Sequence, residues 1–210
     1  MSHGIEAAQD CSYRMERKNR SATSLAISIS LNQKGVLMSK LPVLVAVSAA
    51  LAASTAARSE EIRARLIGYQ EVPSVSTVAR GEFAGHISPD DQFIDYEMTF
   101  DGLQAPITQS HIHVAQRAAN GSIVIWLCGT ASNPGPTGTQ TCPQSGTITG
   151  RITAANVIAG SMAPQQLTAN DLDEVLAAIR AGVAYANIHT VVSFGGEIRG
   201  QIRASHRDRD

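Results

Sequence analysis

The segment His111-Ile112-His113 sets two imidazoles two residues apart, and Asn187-Ile188-His189-Thr190 supplies a third much later in the chain. In an extended strand, residues two apart share a face, so His111 and His113 point together while Ile112 points away. Neutral imidazoles on rigid strands suit copper or zinc. His111, His113 and His189 are therefore the candidate metal ligands, with carboxylates such as Glu71 or Glu197 placed to fix their tautomers. The competing reading is a buried polar network in which the rings bond to Glu71, Glu197 and Thr190 and hold strand ends together. Both readings require the three rings to be close. Metal binding further requires nitrogens converging on a point about 2 Å from each.

Glu71, Glu197 and Arg199 could form a general acid/base group. Strand alternation puts Glu197 and Arg199 on one face, however, where a structural ion-pair network is the simpler expectation. No Ser-His-Asp order, glycine-rich phosphate loop or Cys-His nucleophile pair stands out, so enzymatic catalysis is not expected. His86, before a turn, reads as a surface or half-buried residue. Trp126 is expected to pack on a neighbouring disulfide, and Tyr185 to cover the histidines.

Two-residue alternation between turn clusters predicts the strands that would position these groups. They are 62–69, 81–87, 93–100, 108–114, 121–127, 146–152, 184–189 and 196–203. In the third, Ile94, Tyr96, Met98 and Phe100 form the core face. One helix interrupts them: Thr168-Ala169-Asn170-Asp171 supplies a capping pattern, Leu172, Val175, Leu176 and Ile179 form one apolar stripe, and Gly182 ends it. The fold expected is all-β, an antiparallel Greek-key sandwich of about eight strands with one short helix covering an open end or face.

The chain has 210 residues, of which the single domain occupies 58–210. Residues 38–57 have the basic start, apolar run and small-residue end of a secretory signal peptide, with an uncleaved anchor as the alternative. No stable membrane span is expected after cleavage. Residues 1–37 read as a misassigned start ahead of Met38, or as a disordered or targeting extension. From Arg58 onward there are eleven arginines, no lysine and fifteen acids, a balance of −4, which argues against a nucleic-acid surface.

Cys128 and Cys142 are the pair that remains after removal of a leader. In an exported domain they read as a disulfide across a Gly/Pro/Ser/Thr/Asn/Gln-rich loop, with free thiols or a metal site as the weaker alternative. Closing about fifteen residues contributes roughly 3 kcal/mol in the chain-entropy model.

Four ordered motifs carry a family resemblance: Leu66-Ile67-Gly68-Tyr69-Gln70-Glu71-Val72-Pro73, the His111 to His113 segment, Tyr185-Ala186-Asn187-Ile188-His189-Thr190, and Gly195-Gly196-Glu197-Ile198-Arg199-Gly200-Gln201-Ile202. Together they resemble the CHRD domain over about residues 62–203. Ser74 stands where the family often has a second proline. The resemblance implies an immunoglobulin-like or related sandwich, secreted or periplasmic, with no assigned biochemical role. A weaker likeness, His-x-His, a later single histidine and a Gly-Gly-x-Ile-x-Gly-x-Ile strand, is similar to copper/zinc superoxide dismutases. There is no zinc loop to match, and Glu197 stands where the substrate-steering arginine would be. These features lead to two expectations: a non-enzymatic binding or scaffolding module for a protein or glycan ligand at the cell envelope or outside the cell, with a copper- or zinc-binding module open to redox activity as the alternative.

Overall fold

A computed structural model describes residues 59–205. The segments 1–37 and 38–57 and the end of the tail lie outside the described residues. Among the described residues nine strands form one antiparallel sheet: β1 Glu60–Ile67, β2 Arg80–Ile87, β3 Phe93–Asp101, β4 Ile107–Val114, β5 Ser122–Cys128, β6 Gly146–Thr153, β7 Ala184–Thr190, β8 Ile198–Gln201 and the two-residue β9 Arg203–Ala204. Spatial order is β5-β4-β7-β8-β1-β2-β3-β6, with β9 beside β1. Nonconsecutive neighbours, β4 with β7, β8 with β1 and β3 with β6, require the long connections of a Greek-key arrangement.

The eight main strands curl into a nearly closed sandwich, because the sheet must bury one apolar face against itself. Its core includes Ile62, Leu66, Phe83, Ile94, Met98, Ile112, Ile188 and Ile198, all fully buried. Alternation in β3 buries Ile94, Tyr96, Met98 and Phe100, the face expected from the sequence. The Cys128–Cys142 disulfide forms. It joins the end of β5 to the segment leading into β6, the two edges of the strand order. Gln140 reinforces this seam by donating to Tyr96 Oη and to the Thr149 carbonyl, while Tyr96 Oη donates to the Leu127 carbonyl. The loop between the cysteines thus ties together edges that would otherwise expose unpaired backbone.

Helix α1 spans Leu172–Arg180, and Asp171 caps it by accepting from the Glu174 amide. Its Leu172, Val175, Leu176 and Ile179 join the core. Arg180 then clamps the helix end by donating to Glu60 and Asp91.

The last strand departs from the expected 196–203. Gly196 has φ +125°, and a Cβ there would collide with the Glu71 carboxyl. Gly195 and Gly196 therefore belong to the turn that delivers β8. After Gln201 the chain changes partners: β8 pairs mainly with β7, whereas β9 pairs only with β1.

Candidate functional site

Two halves of the sheet differ in how they treat their outer face. In β1 the burial alternates residue by residue, but every residue of β7 is buried. The outward side chains of β4, β7 and β8 must therefore be covered by loops, and those side chains are polar: His111 and His113 on β4, Tyr185, Asn187 and His189 on β7, and Arg199 on β8. Register places His111 opposite Asn187 and Trp126, His113 opposite Tyr185, and Asn187 opposite Arg199. The β4–β5 pairing shifts register between Ser110 and His111 and again between Ile112 and His113. Such bulges re-aim side chains locally.

The ligating atoms of His111, His113 and His189 lie within 4.8 Å of one another, and all three residues are buried. His113 Nδ1 is 2.9 Å from the Gly121 carbonyl, and His189 Nδ1 is 2.9 Å from the Phe194 carbonyl. A carbonyl can only accept, so each Nδ1 carries the proton and each Nε2 of the neutral ring carries a lone pair. His189 Nε2 faces His111 Nδ1 at 3.3 Å and the Asn187 side-chain oxygen at 3.1 Å. His111 Nε2 and His113 Nε2 are buried with no hydrogen-bond partner.

Electrostatics keep the rings neutral. Burial, reinforced by His189 and His113, pushes His111 down to about 2. Burial pushes His113 down to about 4 against the Gly121 carbonyl, and it lowers His189 as well. A charged imidazole would lose its hydration without gaining a counter-ion.

Aromatic rings wall the cluster. His113 stacks on Tyr185 at 4.7 Å between centroids, and the Arg199 guanidinium lies 3.3 Å from the Tyr185 ring centroid. Trp126 meets His111 edge to face at 4.3 Å. This indole is half-buried rather than in the core, and the bulged register of β5 sets it opposite the histidine. Tyr185 covers the cluster as expected, and His86 is exposed.

The carboxylates are placed differently from the tautomer-fixing role. Glu197 is a knot between loops: its Oε1 accepts from Thr77 Oγ1 and the Gln104 amide, and its Oε2 accepts from Thr190 Oγ1. Glu71 lies against Gly196 near Arg199, with one oxygen buried and unpartnered. Burial pushes its carboxyl up to about 7 despite the opposing field of Arg199. Arg199 donates to Asn120 Oδ1 and the Gln116 carbonyl, which binds the covering loop to β8. The rings are instead oriented by two backbone carbonyls and approached by Asn187. Asn187 could have been found from its two-residue spacing to both Tyr185 and His189. The carbonyls of Gly121 and Phe194 leave no trace in residue type.

No curated protein and no solved structure matches the chain. The weaker likeness to superoxide dismutases has no relative to support it. The CHRD domain matches residues 62–202, an interval that holds all four motifs, the three histidines and the disulfide, and the chain belongs to the CHRD domain family.

Proposed function

We propose that this CHRD domain is an exported metal-binding module, holding one copper or zinc ion through His111, His113 and His189. The observation that carries the reading is the pair of carbonyl-fixed tautomers. The Gly121 and Phe194 carbonyls accept from Nδ1 of His113 and His189, which leaves the Nε2 of each neutral ring unprotonated within a buried cluster. Orientation of a ligating ring by a hydrogen bond at its other nitrogen is the usual support of a metal site. The 3.3 Å between His189 Nε2 and His111 Nδ1 equals the separation of two nitrogens each about 2.0 Å from one ion at a tetrahedral angle.

The charge of the site narrows the ion. Three neutral imidazoles beside the Arg199 cation supply no negative charge, so a monovalent copper ion is less costly to bury here than a divalent one. A disulfide and a leader-like segment over 38–57 support an oxidising compartment, secreted or periplasmic. Among the described residues no helix is long and apolar enough to cross a membrane.

The test is elemental mass spectrometry on the oxidised, exported protein after loading with copper or zinc and desalting. About one equivalent of ion is expected, absent in His113→Ala, together with a rise in melting temperature that the variant lacks. His189→Gln, which keeps a polar side chain, guards against a folding defect in the alanine variant. A folded wild-type protein that retains no ion would make the histidines a hydrogen-bonded network.

A further inference from the structure

The opposite half of the sheet carries a second feature. An open trough of about 940 Å³ crosses its outer face, lined by Arg63, Arg65, Arg80, Arg117 and Arg203. Only two acids, Glu82 and Asp101, line it with them. The trough therefore has an excess of three positive charges, on a domain whose balance from Arg58 onward is −4. Clustering of this kind raises the local concentration of anions.

The arginines are not consumed by internal pairing. Arg63 reaches Glu61 at 3.4 Å and Glu82 at 3.6 Å, and Arg80 reaches Asp101 at 3.3 Å. These pairs are exposed and weak. Among the described residues, Arg65, Arg117 and Arg203 have no carboxylate within salt-bridge distance. Register also sets Arg63 directly opposite Arg203, and like charges facing across strands oppose each other. An anion lying along the trough would relieve that opposition.

Shape and lining select among anions. The lining residues come from β8, β9, β1, β2, β3 and β6 and from the turns that carry Gln70, Arg117 and Ser145, so the trough crosses the sheet from β8 and β9 to β6, on the order of 20 Å at about 4.8 Å per strand. That is the reach of a short run of polymer. Arginine presents a planar fork that matches carboxylate and sulfate oxygens in pairs, while Thr99 and Thr147 in the same lining offer partners for hydroxyls. The only aromatic in the lining, Phe100, is buried, so no exposed ring is available for stacking nucleobases. The large exposed apolar side chains, such as Phe194 and Val192, lie outside it, which disfavours insertion into a lipid surface.

We propose that this trough binds an acidic polysaccharide through its carboxylate or sulfate groups. The test is affinity electrophoresis of the oxidised full chain in gels containing polygalacturonate, dextran sulfate or neutral dextran. The two acidic polymers distinguish carboxylate from sulfate recognition. Retardation by at least one of them is expected, weakening between about 0.05 and about 0.3 M salt as screening shortens the field. Arg65→Ala combined with Arg203→Ala should weaken binding about tenfold, from the loss of two exposed charge contacts. Arg151→Ala, whose side chain pairs with Asp95 outside the trough, should leave it unchanged. Both altered positions are exposed, and an unchanged melting temperature confirms the fold. Absence of retardation, equal retardation by neutral dextran, indifference to the double substitution, or tighter binding to single-stranded DNA or to anionic phosphatidylglycerol vesicles would overturn the proposal.

Discussion

The β4–β7–β8 half and the β1–β2–β3 half of this sheet share a core and differ in what lies over their outer faces. In β1 the outward residues Glu61, Arg63 and Arg65 are exposed, and charge is tolerated because water solvates it. In β7 the outward residues Tyr185, Asn187 and His189 are buried beneath segments that include Asn120 and Phe194. Polar groups there must find partners or bind something. The same pleat thus produces a solvated charged surface on one side and a dry imidazole cluster on the other. Loop placement, more than strand chemistry, decides which.

Separating the two halves at their seam should have the largest effect. Cys128→Ser with Cys142→Ser removes the link between the β5 and β6 edges. Loss of roughly 3 kcal/mol is expected for a loop of this size, read as a lower denaturant midpoint than that of the oxidised wild type. An unchanged midpoint would mean that the backbone bonds from Gly129 to the Gln140 carbonyl and from Cys142 to the Gly129 carbonyl, with the Gln140 side-chain contacts, hold the seam alone.

The covered half should reveal itself through pH, by an intermediate effect. Glu71 has its folded value raised from 4.5 to about 7. It therefore contributes stability that is present below about pH 4.5 and lost as pH rises through about 7. The histidines act in the opposite sense, because their folded values are depressed from 6.5 to about 4 for His113 and about 2 for His111. Their contribution is complete above pH 6.5 and is lost as pH falls through those values. Between 4.5 and 6.5 three imidazoles with lowered values oppose one carboxyl, so the metal-free protein should melt lower as it is acidified. Glu71→Gln should raise the melting temperature at pH 8 by on the order of a few degrees and steepen the acid decline. A profile parallel to that of the wild type would show that Glu71 is not the buried acid described above.

The bare half should be the least sensitive. Arg63→Ala removes two exposed ion pairs, and a stability change within about 0.5 kcal/mol is expected by thermal or chemical denaturation. A loss several times larger would show that this face is structurally coupled like the covered one, and the contrast between the halves would fail.

Legibility in the sequence followed the same division. Alternation identified β3 and its buried face correctly, since a half-solvated strand writes its two environments into alternate residues. The helix stripe was equally readable. In β7 the two-residue spacing of Tyr185, Asn187 and His189 sets them on one face, but a buried network was only one of two readings there and the residue types did not say which loops would cover it. The break at Ile202 was invisible as well, because it reflects a change of pairing partner between β7 and β1. Likewise the bulges that set Trp126 opposite His111 are not visible from spacing.

The residues alone pointed to the all-β class, the helix and the pairing of Cys128 with Cys142, since period, cap and cysteine count are local properties of the chain. Tertiary structure decided that Gly121 and Phe194 fix two tautomers and that Glu197 ties loops together rather than orienting histidines. It also decided that five arginines from separate segments meet in one trough. These are contacts between distant segments, made in part by backbone carbonyls common to every residue, and only the path of the folded chain brings them together.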